Sequence, residues 1–286
     1  MSIGKTGNIT VKLPDGTDLD AKHQVTVIVT DHKKAPQQGK NVTVKGDLGQ
    51  SAVGKTDKNG ELTVPEVEQT ERHGVYIVGY TDGTFGPSRS MTRSEAAAIF
   101  ARLLAEKNGD TISTAANTKF ADIPAHAWYS GYVKYLCNNG ITYGKSKTIF
   151  APNDAITRAE FTTMAVRFFD VYGDGDAEIM EQFSGFNDVS SGYWAAEYIK
   201  YAALHGWING YGDGSFHADR EINRAEVVTI VNRLLGREAD EDYIADNLRK
   251  LNTFPDVSRK HWAYYAVMEA ANAHTAVLGE SESWSK

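Results

Sequence analysis

The chain has 286 residues, 41% of them hydrophobic, which is enough for one large domain or two modest ones. It has a formal net charge of −7 and a single cysteine, Cys137. That count excludes an internal disulfide framework and a multi-cysteine zinc site, so we expect an isolated buried thiol. Because residues 1–72 carry balanced charges, the acidic excess belongs to the rest of the chain, which argues against nucleic acid as a partner.

Residues 1–72 are predicted to form short strands. Residues 24–29 alternate apolar and polar side chains as a half-buried strand does, and Asn59-Gly60 is typical of a hairpin turn before residues 61–64. Strands at this spacing favour a small β-sandwich. The segment is similar, by pattern only, to the immunoglobulin-like modules of bacterial surface proteins, which would make it a spacer domain.

From residue 73 the sequence changes to helical patterns, and two signatures repeat three times. The first is a phenylalanine eight positions before an arginine, in the pairs Phe85 and Arg93, Phe150 and Arg158, and Phe216 and Arg224. The second is Phe-x-Asp followed by tryptophan, with Asp122 and Trp128, Asp188 and Trp194, and Asp256 and Trp262. Three copies are about the minimum for repeats that bury their apolar faces against one another.

An amphipathic helix is predicted after each repeated arginine. Apolar residues follow at i, i+3, i+4, i+7 and i+8, which places them in one stripe of a helix. Three equivalent stripes favour a common centre of three helices. The tryptophan-led segments would form a second, outer set of helices around it.

The tetrapeptides that contain the arginines predict helix starts. Thr92, Thr157 or Asn223 stands three residues before a glutamate, which is the pattern of a capping box. Capping does not require the arginine. Two interpretations remain open: an anion site at the helix N-terminus, or a structural ion pair with Asp122, Asp188 or Asp256.

Two further sets of residues could take part in a binding site. Trp128, Trp194 and Trp262 are more often core residues at such regular spacing, but a half-exposed tryptophan can stack on a sugar ring. The turns that contain Asp82-Gly83 and Asp213-Gly214 would bring backbone amides close to the helix starts.

No catalytic or metal-binding motif emerges from the sequence. The eight histidines are scattered without a pair at metal-ligand spacing, so we expect no metal, no cofactor and no enzymatic activity. Composition does not exclude a pair of glycosidase carboxylates, and a wall-glycan hydrolase is the least favoured alternative.

With these motifs, residues 73–275 resemble a trio of S-layer homology modules, at about 73–138, 139–204 and 205–275, followed by a tail at 276–286. The resemblance implies a mainly α fold. In it, a pseudo-threefold spindle with a central three-helix bundle follows the small N-terminal β-sandwich. It also implies non-enzymatic, non-covalent anchoring to the Gram-positive wall through secondary cell-wall polysaccharide, commonly a pyruvylated amino sugar. The implied location is extracellular, in the cell wall or S-layer, without membrane insertion. Neighbouring surface-layer subunits would be further partners. Since the N-terminus lacks a secretory-signal profile, we expect a fragment of a longer protein.

The ligand-binding candidates implied by the resemblance lie in grooves between modules: Arg93, Arg158, Arg224, Trp128, Trp194, Trp262, Asp82, Gly83, Asp213 and Gly214. The second turn has Lys147-Thr148 where the others have Asp-Gly. We expect the groove served by this turn, assigned to Arg158, to be altered in specificity or inactive. The alternative function is a protein–protein or self-assembly module whose arginines only brace the fold.

Overall fold

The computed structural model describes residues 7–12, 25–31, 33–45, 51–64, 69–172, 183–278 and 283–285. The chain forms two compact units, one of Met1–Glu71 with Val277–Glu280 and one of Arg72–Ala276 with Ser281–Lys286. Within the described ranges, every helix is too short or too polar to span a membrane.

The first unit consists of strands. They are β1 (Gly7–Lys12), β2 (Val25–Asp31), β3 (Asn41–Lys45), β4 (Ser51–Lys55) and β5 (Glu61–Val64). β2 pairs antiparallel with both β1 and β5, and β3 pairs antiparallel with β4. The predicted turn forms, with Gly60 at φ +73° and the Asp57 carboxylate accepting the Asn59 and Glu61 amides. However, the prediction of a hairpin is wrong, because the turn connects β4 and β5, which belong to different sheets. The immunoglobulin-like assignment stays a prediction.

The second unit is mainly helical. Its helices are α1 (Arg93–Asn108), α2 (Ser130–Asn138), α3 (Arg158–Tyr172), α4 (Ala196–Leu204), α5 (Arg224–Leu235), α6 (Glu241–Asn247) and α7 (Tyr264–Ala271). Apart from these helices, the strands β6 (Gln69–His73), β7 (His274–Leu278) and β8 (Ser283–Ser285) form a small sheet in that order, and His73, His274 and β8 belong to the second unit. The last strand lies in the segment predicted as a tail, and its Trp284 is buried in the core of the unit.

The predicted capping boxes fix where the long helices begin. At α1 the Glu95 amide donates to the Thr92 hydroxyl, and the Glu95 carboxylate accepts the Thr92 amide at 2.8 Å. Asn223 and Glu226 make the same reciprocal pair at α5. These bonds satisfy amides that a helix leaves without partners at its start, so the local sequence is sufficient to set these boundaries.

The long helices form the centre of the unit, and the tryptophan-led helices lie against them. α1 packs on α3 and α3 on α5, while α2, α4 and α7 each pack on the long helix that precedes them. The fully buried ring of Phe100 lies 5.3 Å from that of Phe161 and 4.9 Å from that of Phe168. These contacts join α1 and α5 through α3 and set one tryptophan-led helix against each long helix, while the pseudo-threefold spindle with its central three-helix bundle stays a prediction.

A closed ring of three backbone hydrogen bonds joins the segments before the long helices. The Met91 amide donates to the Ile222 carbonyl at 2.9 Å, Ile222 to Ile156 at 3.0 Å, and Ile156 back to Met91 at 2.9 Å. All three side chains are buried. A linear stack of repeats could not close such a ring, because its first and third members would not meet.

Candidate functional site: grooves at the helix starts

Each repeated arginine reaches into the turn of another repeat. The Nε group donates to the carbonyl of the phenylalanine in that turn, and Nη2 donates to the carbonyl seven positions earlier. The acceptors are Phe150 and Tyr143 for Arg93 (2.9 and 3.2 Å), Phe216 and Asn209 for Arg158 (2.9 and 3.3 Å), and Phe85 and Val78 for Arg224 (2.8 and 2.7 Å). The arginines therefore join the repeats cyclically, the third returning to the first.

The carboxylate partner of each arginine is a capping glutamate. Nη1 lies 3.3 Å from Glu160 for Arg93, 3.2 Å from Glu226 for Arg158, and 3.7 Å from Glu95 for Arg224. All three arginines are buried, and burial lowers the pKa of the Arg158 and Arg224 guanidinium groups. Each arginine therefore forms the ion pair that the bracing hypothesis expects, but its partner is a capping glutamate and not one of the aspartates of the second signature.

The three aspartates of the second signature bind backbone amides instead. Asp188 accepts the amides of Phe216 and His217, both at 2.7 Å. Asp122 holds the Phe150 and Ala151 amides, and Asp256 those of Phe85 and Gly86, in the same way. Desolvation is the largest single effect on Asp188 and opposes its charge, but the backbone amide hydrogen bonds and the charge of His217 together outweigh it and lower the pKa of the carboxyl group. These aspartates hold the turns that the arginines contact.

The turn residues that the resemblance implied as binding candidates shape their own turns. Asp82 accepts the Thr84 hydroxyl at 2.6 Å and its amide at 2.9 Å, and Asp213 makes the same contacts to Ser215. Those hydroxyl and amide bonds lower the pKa of both carboxyl groups. Gly83 and Gly214 follow with φ of +83° and +79°, where a side chain would be strained.

The second turn keeps this geometry with other residues. Ser146 Oγ accepts the amides of Thr148 and Ile149 at 3.3 and 3.1 Å, which replaces the aspartate contact. This turn contacts Arg93, not Arg158, since the Nη2 acceptor there is Tyr143. The expected link between the altered turn and Arg158 is therefore wrong.

A tyrosine that covers the arginine in two grooves is replaced by Lys145 in the third. The Tyr80 ring lies 4.6 Å from the Arg224 guanidinium, and the Tyr211 ring lies 5.1 Å from that of Arg158. Lys145 occupies the matching position five residues before phenylalanine, and its ammonium pairs with Asp154 at 3.1 Å. Arg93 therefore faces a pocket of about 150 Å³ whose lining includes Tyr143, Lys145, Glu160, Arg167 and Trp194.

The three repeated tryptophans are exposed, which corrects the expectation that they belong to the core. Trp128, Trp194 and Trp262 are 52%, 57% and 66% exposed. Trp194 lines the pocket at Arg93. A ring that is open to solvent beside a cationic pocket offers an apolar face on which a sugar can stack.

A second repeated arginine was missed in the sequence. Arg102, Arg167 and Arg233 each stand nine positions after the first arginine, on the same helices. Arg167 lines the pocket, where its guanidinium lies 5.0 Å from the Tyr143 ring and 5.1 Å from the Tyr198 ring. Aligning the three helices from their capping residues would have found this position.

Two expectations about single residues need correction. Cys137 is half-buried, not buried, and desolvation raises the pKa of its thiol. The histidines are not all scattered, because the tertiary structure places His73 and His274 together, 3.2 Å apart, beside Glu269. This cluster lies outside the grooves and is a candidate metal-ligand set that spacing along the sequence did not indicate, while the absence of a bound metal stays a prediction.

Comparison with known proteins gives a consistent result along the repeats. The profile of the S-layer homology domain matches residues 63–97, 119–162 and 185–228. Cell surface glycoprotein 1 of Acetivibrio thermocellus is 34% identical over 218 residues, which are 73% of this chain and 9% of that protein. The cellulosome-anchoring protein of the same organism is 30% identical over 233 residues, 81% of this chain and 49% of the relative. The surface-layer 125 kDa protein of Lysinibacillus sphaericus is 32% identical over 163 residues, 56% of this chain and 13% of that protein. This chain thus spans about half of these relatives or less. It contains three S-layer homology domains and belongs to the family of proteins that carry them.

Proposed function

We propose that the chain is a non-enzymatic anchor that holds a surface protein on the bacterial cell wall by binding an anionic secondary cell-wall polysaccharide. The ligand lies in grooves between repeats that are arranged as a pseudo-threefold spindle. The closed ring of Met91, Ile156 and Ile222 supports this arrangement. The names of two relatives, a cellulosome-anchoring protein and a surface-layer protein, support a role at the cell surface.

The pocket at Arg93 is the observation that carries the proposal. Its lining has three cations, Arg93, Lys145 and Arg167, and one carboxylate, Glu160, although the chain as a whole is acidic. An anionic group is therefore favoured in this pocket and disfavoured over most of the surface. The ketal-linked pyruvate of an amino sugar supplies such a carboxylate, which guanidinium groups bind with paired hydrogen bonds.

The size and walls of the pocket suit one sugar unit. The pocket is partly open to solvent, and its volume of about 150 Å³ is enough for one six-membered ring, with the ring's substituents extending outward. Trp194 provides an exposed aromatic face at the same pocket. We infer that the ring of the terminal sugar stacks on Trp194 while its carboxylate faces Arg93 and Arg167.

Arg93 can brace the fold and still contact a ligand. A guanidinium has five N–H donors. The contacts of Arg93 engage Nε, one hydrogen of Nη2 and Nη1 toward Glu160, so two hydrogens remain for a carboxylate or hydroxyl. Glu160 is itself held by Arg93 and by the Thr157 amide at 3.1 Å, which suits positioning better than proton transfer.

The other two grooves offer the same elements with less access. Tyr80 covers Arg224 and Tyr211 covers Arg158, while Trp128 and Trp262 remain exposed. We propose that Asp82-Gly83 and Asp213-Gly214 shape these grooves through their turns, and that the groove at Arg93 binds the polymer most tightly.

The test is calorimetric titration of the full chain with purified wall polymer, before and after chemical removal of the pyruvate. Trp194→Ala should weaken binding by roughly tenfold to a hundredfold, since stacking on an aromatic ring contributes about 1–3 kcal/mol. Val171→Ala, an exposed apolar residue at the end of α3 outside the pocket lining, is the matched control and should bind as the unmodified protein does.

Lys145→Tyr probes the same groove from the other wall. The new ring should cover Arg93 as Tyr80 covers Arg224, and so reduce affinity without lowering the melting temperature. Binding that survives both Trp194→Ala and Lys145→Tyr would contradict the assigned groove. Absence of any polymer binding, together with self-association of the chain, would favour the self-assembly alternative.

A further inference from the structure

A buried cluster of metal-ligand side chains lies where the second unit begins and ends. His73 is the last residue of β6, Glu269 lies near the end of α7, and His274 is the first residue of β7. All three are buried, with exposures of 3%, 0% and 7%. Their candidate ligand atoms all lie within 4.8 Å of one another.

The spacing of these atoms matches a tetrahedral metal. His73 Nδ1 is 3.2 Å from His274 Nε2 and 3.4 Å from Glu269 Oε1, and His274 Nε2 is 3.3 Å from Glu269 Oε2. Ligands about 2.0–2.1 Å from a tetrahedral zinc ion are themselves about 3.3 Å apart. Each imidazole nitrogen faces a different oxygen of the carboxylate, so the two imidazoles and the carboxylate surround one point at which a zinc ion can bind all three.

The surroundings of His274 orient its ring for coordination. His274 Nδ1 lies 3.0 Å from the backbone carbonyl of Asn272. Because a carbonyl only accepts, Nδ1 carries the hydrogen of a neutral ring and the lone pair is on Nε2, which faces the cluster. A backbone carbonyl that accepts the other N–H is the usual outer contact of a metal-bound histidine. The Trp284 ring stacks on the face of the His274 ring, with 3.8 Å between the ring centres.

Glu269 requires a nearby positive charge. In the part of the chain that the structure describes, neither of its carboxylate oxygens accepts a hydrogen bond, and both are inaccessible to solvent. A buried carboxylate in this state is strongly unfavourable unless a cation compensates it. A divalent ion bound by two imidazoles and one carboxylate supplies that charge.

We propose that His73, Glu269 and His274 bind a Zn²⁺ ion whose fourth position is filled by a water molecule. The ion joins the segment that enters the repeat unit to the helix and strand that end it. Its role is structural, and it is independent of polymer binding in the grooves.

The experiment uses the full chain without a polyhistidine tag, from which metal has been removed by a chelator and dialysis. The protein is titrated with ZnCl₂ by calorimetry, and its melting temperature is measured with and without the ion. We expect one ion per chain and a higher melting temperature with zinc, because an ion that binds only the folded state stabilises it. MgCl₂ at the same concentration should have no effect.

Substitutions of the cluster residues test whether their side chains bind the zinc ion. Glu269→Gln and His274→Ala should each weaken zinc binding at least a hundredfold, whereas the exposed control His126→Ala should leave it unchanged. If a variant fails to fold, Co²⁺ bound to the unmodified protein still reports the site, since a tetrahedral site gives a far stronger visible spectrum than the hydrated ion. The proposal is overturned if the unmodified protein does not bind zinc at one ion per chain. In that case the cluster is free of metal, and the charge of the Glu269 carboxylate is balanced by an imidazolium or by the nearby Arg237. It is also overturned if both variants bind zinc undiminished.

Discussion

Replacing Arg224 with alanine measures how much an arginine that links two repeats contributes to stability. Its Nε hydrogen bond goes to the carbonyl of Phe85, a buried residue, and its Nη2 bond to that of Val78, which is exposed. A hydrogen bond from a charged donor contributes about 1.5–3 kcal/mol when both groups are buried. The Val78 carbonyl can turn to water, so its bond contributes less. Glu95 keeps its contacts to Thr92 when the arginine is removed.

Together these contributions predict that Arg224→Ala lowers the free energy of unfolding by roughly 2–4 kcal/mol. In a unit of this size, 1 kcal/mol shifts the melting temperature by about 2–4 °C, so we expect a decrease of roughly 5–15 °C. Arg224→Lys should recover less than half of it, because an ammonium does not reproduce the two directed bonds of the planar guanidinium.

The assay is thermal unfolding followed by circular dichroism, with polymer titration of each variant in parallel. Arg249→Ala is the control: it removes the same charge at an exposed position of the same unit and should change stability by less than about 0.5 kcal/mol. Arg93→Ala should lose both stability and affinity, since Arg93 also lines the open pocket. If Arg224→Ala melts within about 2 °C of the unmodified protein, the bracing role argued from its contacts is refuted.

Three further predictions concern the core, acid stability and the first unit. Phe100→Ala and Phe168→Ala should each cost about 3–5 kcal/mol, and Leu234→Ala about 2–5 kcal/mol, in urea unfolding, because all three side chains are buried; a midpoint that does not move would place them outside the core. Since the pKa of Asp188 is lowered in the folded state, its contribution to stability is complete above the unfolded carboxyl pKa of about 3.9 and is lost as pH falls through the folded pKa. The melting temperature of Asp188→Asn should therefore depend less on pH below about 4, and an unchanged pH profile would count against the amide contacts. Removing residues 1–68, which retains β6, should leave polymer affinity intact as measured by titration, and loss of binding by a truncated protein that still folds would show that the first unit contributes to the site.

The repeat, the helix starts and the apolar stripes could be predicted from the sequence because each depends on neighbours within a few residues. Thr92 caps α1 through Glu95, three positions away, and that contact requires nothing from the rest of the chain. The stripes follow from the helical period alone. Residue type also indicated that the arginines had a second role, since capping leaves their guanidinium groups unused.

The tertiary structure decided which groups meet. Arg224 contacts the carbonyl of Phe85, 139 positions away, and the cyclic order that makes this possible appears in no local pattern. The same order assigns the altered second turn to Arg93 and selects capping glutamates, not the aspartates, as the partners of the arginines. Exposure of the tryptophans and the meeting of His73 with His274 likewise depend on how distant segments pack. Local hydrogen bonding therefore determined the elements of this protein, whereas closure of the three repeats on one another determined its grooves and its buried cluster.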